Sequence, residues 1–572
     1  MPGFFISNLK GEYSLNNLFN ERCSQGYIEN QNYFIYRNTL NKFMNDKLFI
    51  SDEEHVIITE GVILNKKELI VSYREQDFAS TVKRMFFVEG ELFFNKFRGC
   101  FSGALYDKKE NKWIIYTNHV GDKPIFYYHA NNVFITASSV DYIIEALKQH
   151  GISYELNVKA VYDMLTYGFM ASGRGDGTFI KEIKRLSPGH CIKYSDGKLE
   201  VLEYHQFTNT SQIDDRITET EIIELLDDKF RRAIRFEYEK DLEYGYKHVT
   251  TLSGGLDSRM NAWVAKALGY GDMLNVTFSQ SNYLDEFIAK EISNALHTEL
   301  IIKTLDDAKC LLSLAKIIQM NHGLSIYSGI AHGKSMFDYI NFDKLGLLHT
   351  GQLGDSIIGS ALRDPIFRPI SKAIGLYSSI LINKIDISGL SYENEEIYFL
   401  YTRCFNGALC SHIAHSNYTE IVSPFLDVDF LDFCLSIPIK LRVKHYIYKK
   451  WILKKYPDAA KFKWEKIDAK ITENEKILFV KKMFKKGPKK MLKMLGFNIK
   501  TSCQSMNPFD YWYERNYTIK EYMDNYYKAN LNNTHIDDIL VKDMEFMYES
   551  GTASEKTQVL TALATIKYYF GE

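Results

Sequence analysis

The stretch LSGGLDS, from Leu252 to Ser258, constrains the fold of this chain more than any other. It joins the β-branched run KHVTTL to the helix-like run SRMNAWVAKALG. Two glycines between a strand and a helix let backbone N–H groups approach an anion, and the helix adds the positive end of its dipole. A plain turn followed by a helix cap uses the same residue types, so the rest of the sequence must decide between a turn and a phosphate site.

The polar residues of this loop favour a phosphate bound together with a metal ion. Ser253 and Ser258 can donate hydroxyl hydrogen bonds, while Gly254 and Gly255 leave the backbone open to phosphate oxygens. Asp257 would repel a phosphate unless a divalent cation lies between them, so Mg²⁺ is expected. The spacing differs from GxxxxGKS or GxxxxGKT, which excludes the P-loop that presents a γ-phosphate for transfer.

Strand and helix patterns alternate around the loop. The strand-like runs KHVTTL, MLNVTFS and ELIIKTL are separated by helix-like runs such as LDEFIAKEISNALH. This alternation predicts a doubly wound parallel sheet, in which ligands bind beyond the carboxyl ends of the strands. Short alternating strands before Tyr204 predict instead an antiparallel β-sandwich with flanking helices. We therefore expect a β-rich domain at 1–204, a polar linker at 205–218, an α/β domain at 219–475 and a helical extension at 476–572.

Composition and charge exclude several classes of function. Lys and Arg number 70 against 72 Asp and Glu, so the net charge of -2 gives no global attraction to nucleic acid. Eight cysteines occur without CxxC pairs or His/Cys clusters, which predicts neither a zinc site nor a disulfide framework. No signal-peptide pattern is present, and no apolar run reaches the ~18 residues of a membrane span. We expect a cytoplasmic protein.

A second glycine-rich turn, TGQLGDS, follows the apolar run LGLLH. Asp355 in this turn could supply a second carboxylate to the metal ion, or it could cap a helix. Together the two loops resemble the synthetase domain of the asparagine synthetase family, which belongs to the ATP pyrophosphatase superfamily. The resemblance implies that ATP is cleaved at the α-phosphorus, with Mg²⁺ held by Asp257 and Asp355. The product would be an acyl adenylate, which an amine or ammonia converts to an amide.

The same resemblance implies a set of nucleotide-binding residues, which comprises Leu252, Ser253, Gly254, Gly255, Asp257, Ser258, Phe278 and Gly351. It also implies a lysine that stabilises the charge developing on the α-phosphate and the departing pyrophosphate. Pro-Phe-Leu-Asp at 424–427 matches the family's segment before that lysine, and Lys466 matches the lysine itself. Lys463 is a rival for this role, and a lysine on a solvated helix is the plain alternative.

One departure from the family concerns the general base of the catalytic site. The family's second loop reads approximately Ser-Gly-Glu-Gly-x-Asp-Glu, but Gln352 stands at the position of the glutamate. Glutamine cannot take a proton from an attacking amine. Related ligases that also depart here, among them β-lactam synthetases and lasso-peptide cyclases, join an amine already present in the substrate to the adenylated carboxylate. Glu420 is a stand-in base, and a surface carboxylate is an equally good interpretation of it.

The N-terminal half resembles the class II glutamine amidotransferase domain, which has an Ntn-hydrolase-like fold. The segments EGVILNKKEL, KFRGCFSGALYDKKENKWIIYTNHVGDKPIFYY and FIKEIKRLSPGHCIKY carry the resemblance. Working members use a cysteine at position 2, with its own α-amine as base, but this chain has Pro2. The family's Asn-Gly-Glu reads Glu60-Gly61-Val62, and Cys23 cannot also be the terminal amine. We expect an inactive domain that serves as a scaffold.

Three interpretations of function remain open. The first is an AMP-forming ligase whose partners are a small-molecule or natural-product carboxylate and an amine or ammonia. The second is authentic asparagine synthesis from aspartate, and the third is a non-catalytic nucleotide-binding paralogue. The lysine-rich stretch 476–500 could contact an anionic surface or form two short helices with a solvated lysine face. A homodimer is among the expected partners, and nucleic acid is not.

Overall fold

The computed structural model describes residues 2–11, 13–15, 20–29, 32–171, 175–210, 213–214, 216–473, 505–532 and 536–571. The lysine-rich stretch 476–500, with both of its interpretations, lies outside these residues. Within the described ranges, no helix combines the length and the apolar character that crossing a membrane requires.

Two six-stranded antiparallel sheets form the N-terminal half. Their strands are β1 Gly3–Ser7, β2 Cys23–Glu29, β3 Phe34–Leu40, β4 Phe49–Ser51, β5 His55–Gly61, β6 Phe101–Asp107, β7 Lys112–Thr117, β8 Phe126–Ala130, β9 Val133–Ala137, β10 Lys184–Arg185, β11 His190–Ser195 and β12 Lys198–Glu203. The first sheet has the strand order β10-β8-β9-β1-β3-β2, and the second has the order β12-β11-β7-β6-β5-β4.

The two sheets pack face to face because apolar side chains alternate along their strands. Phe4 and Ile6 of β1 join Ile58 of β5 and Trp113 of β7 in one buried cluster. Helices cover the outer faces and are α1 Lys66–Tyr73, α2 Phe78–Glu89, α3 Val140–Gln149 and α4 Val158–Tyr167. This arrangement confirms the predicted antiparallel sandwich with flanking helices.

Five parallel strands form the sheet of the second half, as the alternating pattern predicted. They are β13 Lys247–Thr251, β14 Met273–Ser279, β15 Glu299–Thr304, β16 Leu345–His349 and β17 Ile421–Val422. Their order is β15-β14-β13-β16-β17, and every neighbouring pair is parallel. The strand order changes direction between β13 and β16, which is where doubly wound sheets bind their ligands.

Helices pack on this sheet and account for much of the other described part of the second half. They are α5 Glu219–Tyr244, α6 Leu256–Ala267, α7 Leu284–Leu296, α8 Leu314–Asn321, α9 Ser328–Phe337, α10 Glu395–Phe399, α11 Cys410–His415, α12 Val428–Ser436, α13 Ile439–Arg442, α14 Tyr446–Lys455, α15 Phe509–Arg515, α16 Tyr517–Asn530, α17 Asp538–Ser550 and α18 Ala553–Phe570. A hairpin of β18 Lys463–Trp464 and β19 Ala469–Lys470 follows α14. A capping box between Thr218 and Glu221 begins α5, as the sequence TETE favours.

The C-terminal helix α18 connects the two halves of the molecule. The Gln558 Nε2 amide donates hydrogen bonds to the backbone carbonyls of Met164 and Leu165, each at 3.1 Å. These carbonyls belong to α4 of the N-terminal half, while α18 also packs on α8 beside the parallel sheet. The helix α18 therefore contacts both halves of the molecule and holds them together.

Candidate active site at the carboxyl edge of the parallel sheet

A cavity of about 590 Å³ opens at the carboxyl ends of β13, β14 and β16. Gly168 and Phe169 of the N-terminal half also line it, so both halves of the chain shape this space. Most of the sequence-predicted site residues line the cavity, namely Leu252, Ser253, Gly255, Asp257, Ser258, Phe278, Gly351 and Gln352. The structure thus brings the two glycine-rich loops together at the point where the strand order changes direction.

The first loop is held in place by its own hydroxyl groups and by one carboxylate. The Ser253 N–H donates to Ser258 Oγ at 3.0 Å, and the Gly255 N–H donates to Ser253 Oγ at 3.2 Å. The Gly254 N–H donates to Asp285 Oδ1 at 2.6 Å, so this amide does not face the cavity as the sequence suggested. A Cβ on Gly254 would lie 2.8 Å from Glu465 Cβ, which explains the glycine at this close approach.

Asp285 is a site residue that the sequence analysis missed. It lies in the first turn of α7, after the carboxyl end of β14, and it lines the cavity. Burial raises the pKa of Asp285 to about 6, although the hydrogen bond from the Gly254 N–H acts in the opposite direction. Its position after a parallel strand, like that of Asp257, was the signal that could have found it.

The predicted metal-binding carboxylates, Asp257 and Asp355, lie side by side. Asp257 Oδ2 accepts the Asp355 N–H at 2.9 Å, and Asp257 Oδ1 accepts the Tyr448 hydroxyl at 2.8 Å. Burial and the neighbouring Asp355 carboxylate raise the pKa of Asp257 to about 8. A cation between two such carboxylates would remove their repulsion, and an all-oxygen donor set is the one Mg²⁺ prefers. The residues present therefore fit the ion that the sequence implies.

Lys466, rather than its rival Lys463, reaches this pair of carboxylates. The Lys466 Nζ lies 3.0 Å from Asp355 Oδ2, and its side chain is 49% exposed. The Lys463 Nζ instead lies 3.2 Å from Asp468 Oδ1 within the β18–β19 hairpin. We call Asp257, Asp355 and Lys466 the loop carboxylate site.

Gln352, from the second loop, and Arg403 also line the cavity. The Gln352 Nε2 donates to the Ala408 carbonyl at 3.4 Å. Arg403 lies in the π-helical segment Leu400–Ala408, with its guanidinium 4.6 Å from the centre of the Tyr377 ring and 5.7 Å from that of Phe169. An Arg403 Nη donates to the Tyr377 hydroxyl at 3.1 Å, and within the described part of the chain the guanidinium makes no ion pair. Nothing in its sequence surroundings singled Arg403 out.

Glu420 lies outside the cavity, and both sequence interpretations of it are corrected by the structure. Its carboxylate is fully buried and lies 2.8 Å from Lys47 Nζ and 2.7 Å from Lys123 Nζ, both from the N-terminal half. Burial alone would raise the pKa of Glu420, but the two lysines outweigh it and lower the pKa to about 2. A carboxylate with this pKa and these partners is neither a general base nor a surface group.

Glu60 completes this group of buried charges. The Glu60 Oε1 lies 3.5 Å from Lys47 Nζ and 3.9 Å from Lys123 Nζ, and it accepts the Thr39 hydroxyl at 2.8 Å. We call Lys47, Glu60, Lys123 and Glu420 the interdomain ion cluster. Because Glu60 stands at the family's Asn-Gly-Glu position, a carboxylate that accepts hydrogen bonds replaces an amide that could donate them to an oxyanion.

Comparisons with known proteins agree with this two-part structure. Residues 41–205 match the glutamine amidotransferase domain family. Asparagine synthetase (glutamine-hydrolyzing) 2 of Bacillus subtilis is 30% identical over 150 residues, which are 25% of this chain and 20% of that protein. The putative asparagine synthetase (glutamine-hydrolyzing) 1 of Methanocaldococcus jannaschii is 24% identical over 351 residues, which are 60% of this chain and 57% of that protein. The chain therefore spans less than two thirds of either relative.

A solved structure of glutamine phosphoribosylpyrophosphate amidotransferase from B. subtilis, complexed with ADP and GMP, is 10% identical. The match covers 48% of this chain and 58% of that chain, with a TM-score of 0.22. The strand order of this chain, rather than this match, is the basis for the fold described above.

Together these findings define an amidotransferase-type domain followed by a parallel α/β domain with two glycine-rich loops. The resemblance to the asparagine synthetase family is confirmed by the curated matches, and that to the amidotransferase domain by the family match.

Proposed function

We propose that the protein is an ATP-dependent carbon–nitrogen ligase that adenylates a carboxylate and joins it to an amine or ammonia. One observation carries the proposal. Asp257, Asp355 and Lys466, which come from three separate stretches of the chain, converge beside a cavity at the switch point of the sheet. Opposed carboxylates with an adjacent lysine suit a metal-bound pyrophosphate, and the cavity provides room for an acid next to it.

The roles of the residues follow from their positions. The Ser253 and Ser258 hydroxyls, 3.0 Å apart, would donate hydrogen bonds to phosphate oxygens. Asp257 and Asp355 would hold Mg²⁺, which neutralises phosphate charge when bound. A carboxylate oxygen of the acid attacks the α-phosphorus, and the bond from that phosphorus to the bridging oxygen breaks, so pyrophosphate leaves. Lys466 places its ammonium where this negative charge accumulates.

Arg403 supports an acid that carries a second anionic group. Arg403 lines the cavity, and two aromatic rings fix the orientation of its guanidinium. A half-buried arginine that forms no ion pair with the described carboxylates is well suited to bind an anionic group of a ligand. Aspartate is one such acid, so asparagine synthesis from aspartate is the second candidate function, and it is favoured by this arginine.

The amidotransferase domain is proposed not to hydrolyse glutamine. The residue directly before β1 is Pro2, which has no nucleophile, and the acceptor-only carboxylate of Glu60 occupies the oxyanion position of the family. Burial and the Glu60 charge raise the pKa of Cys23 to about 11, which keeps this thiol protonated and unreactive. Free ammonia or a substrate amine would then supply the nitrogen.

The test is ATP–pyrophosphate exchange with radiolabelled pyrophosphate, Mg²⁺ and a panel of monocarboxylic, dicarboxylic and sugar acids. The full chain is expected to exchange with one class of acid and to form AMP with that acid when an amine is added. The Asp257→Ala variant, checked for folding by its melting temperature, is the control and is expected to show no exchange. Binding of ATP without exchange for any acid would favour the non-catalytic paralogue instead.

A further inference from the structure

His412 of α11 faces the active-site cavity and is paired with a carboxylate from the other half of the molecule. The His412 Nδ1 lies 3.3 Å from Asp122 Oδ2, and the His412 Nε2 lies 3.3 Å from Thr350 Oγ1. The exposed fractions are only 3% for His412 and 4% for Asp122. Asp122 belongs to the loop between β7 and β8, so the N-terminal half orients an imidazole in the synthetase cavity.

The hydrogen bonds assign the proton on the imidazole. An aspartate carboxylate accepts hydrogen bonds, and Asp122 Oδ1 already accepts the Asn118 Nδ2 amide at 2.7 Å. The His412 Nδ1 therefore carries the hydrogen, and Nε2 has a lone pair. The Thr350 hydroxyl, which also lines the cavity, has a nearer acceptor in the Val422 carbonyl at 3.1 Å, so its single proton is not committed to His412 Nε2.

His412 lies beside the position where the family's general base is missing. The Thr350 Oγ1 that contacts His412 also accepts the Gln352 N–H at 3.4 Å. The Gln352 side chain in turn donates to the carbonyl of Ala408, two residues before α11. His412 and Gln352 thus both contact Thr350, at the start of the second loop.

Two other histidines near the cavity are less suited to this role. Burial lowers the pKa of His415 to about 3, and its Nε2 lies 3.4 Å from the Ile330 carbonyl rather than near a carboxylate. His445 lies 3.9 Å from Asp355 Oδ2, beside the loop carboxylate site and the phosphates it would bind. Of these three histidines, His412 alone combines a position in the cavity lining, a carboxylate partner outside the loop carboxylate site and a second ring nitrogen in contact with the second loop.

We propose that His412 is the general base for amide formation and that Asp122 is its positioning residue. This inference rests on the proposed ligase function. The amine nitrogen forms a bond to the carbonyl carbon of the acyl adenylate and gives a proton to His412 Nε2. The carbon–oxygen bond to the phosphate then breaks, and AMP leaves with the electron pair. Asp122 stabilises the imidazolium, which returns its proton to water.

The inference gives the N-terminal half a role in catalysis that does not require glutamine. Without Asp122, the imidazole could rotate or change its tautomer, and the base would be lost although the cavity remained. A domain that hydrolyses no glutamine would still be needed for amide formation.

The experiment separates adenylation from amide formation in the full-length protein. With the acid that supports exchange, His412→Gln is expected to keep ATP–pyrophosphate exchange within about 2-fold, because the base acts after adenylation. Single-turnover amide formation is expected to fall by about 10² to 10⁴, the usual contribution of a general base. Added imidazole should partly restore amide formation in His412→Ala, and Asp122→Asn should lower it without changing exchange.

His415→Asn is the matched control, because it removes a buried imidazole from the same helix without touching Asp122. It is expected to keep the ratio of amide to adenylate. Unchanged amide formation in His412→Gln, with exchange intact, would overturn the inference and leave the ligase proposal standing. Absence of exchange in the parent protein would overturn both. If His412→Gln fails to fold, the result for Asp122→Asn decides by the same criterion.

Discussion

The interdomain ion cluster and the loop carboxylate site both combine carboxylates with lysines. The cluster is buried and balanced in charge, whereas the loop carboxylate site is partly exposed and has more carboxylates than lysines. In the cluster, two lysines and two glutamates balance in charge, and each residue is at most 4% exposed. In the loop carboxylate site, two carboxylates repel one another and the single lysine is 49% exposed. The first group is already balanced in charge, whereas the second has an excess negative charge that a cation would neutralise. The difference separates a structural contact from the proposed binding site.

The buried cluster gives the amidotransferase-type domain a structural role that is independent of the proposed loss of glutamine hydrolysis. The segment that would stabilise an oxyanion in the family carries Glu60, whose charge is used by Lys47 and Lys123. These lysines also contact Glu420, which directly precedes β17, so the cluster connects the segment around Glu60 to the second half of the chain. A buried ion pair that is broken on one side is strongly destabilising, which would preserve such a cluster.

Removal of Glu420 should have the largest effect on stability. Glu420→Ala leaves the two buried lysines, Lys47 and Lys123, with only the Glu60 carboxylate as counter-charge, and about 3–5 kcal/mol of unfolding free energy is expected to be lost. Urea unfolding measures this change. Glu155→Ala is the control, because the Glu155–Lys181 pair is exposed on both sides and should contribute nothing measurable. Equal stability of the two variants would mean that the cluster is not the structural contact described here.

Lys466 provides the corresponding test at the loop carboxylate site. Lys466→Met is expected to lower exchange by about 10² to 10³ with little change in stability, because its charge is needed only when phosphate charge develops. Lys463→Met is the matched control three residues away and should retain exchange. An equal loss of exchange in both variants would show that exchange depends on the hairpin as a whole rather than on the lysine beside Asp355.

Arg403 tests whether the cavity beside the loop carboxylate site binds the acid. Arg403→Met is expected to raise the KM of the acid by about 10-fold to 100-fold, the usual worth of a hydrogen bond to a charged group. The KM of ATP should stay unchanged. A change in both constants would place the guanidinium near the nucleotide instead. Measurements with a monocarboxylic and a dicarboxylic acid would show which anionic group it contacts.

A second buried network, below the loops, should make stability depend on pH. Burial lowers the pKa of His349, but the Asp241 and Glu237 carboxylates outweigh this and raise it to about 9. The resulting stabilisation is complete below the ordinary histidine pKa of about 6.5 and is lost as pH rises through about 9. The urea midpoint should therefore fall over this range, and His349→Gln should flatten the curve. An unchanged slope in the variant would assign the pH dependence to other groups.

Cys23 should give the smallest effect. Its raised pKa leaves little thiolate at neutral pH, so Cys23→Ser should change neither stability nor activity measurably. Glutamate release from glutamine is expected to be absent in the parent protein and in this variant. Glutamine hydrolysis that disappears in Cys23→Ser would show that the N-terminal half has kept a reaction centre of another kind.

The sequence predicts those parts of the fold and of the candidate site that depend on residues close together in the chain. The LSGGLDS and TGQLGDS loops follow apolar strands directly, so their meeting at one edge of a parallel sheet could be expected. Arg403 and the His412–Asp122 pair could not be predicted, because they come together only through tertiary packing, with Asp122 and His412 lying 290 positions apart. Glu420 was misread for the same reason, since its partner Lys123 lies 297 positions away. Its local surroundings alone look like those of a surface carboxylate.

The most direct test of the account is acid-dependent ATP–pyrophosphate exchange by the full chain in the complete absence of glutamine. Exchange is expected with an acid that carries a second anionic group, and it is expected to be lost in Asp257→Ala. Exchange that requires glutamine, or that survives in Asp257→Ala, would contradict the central claim that the open site between β13 and β16 works without a glutamine-hydrolysing domain.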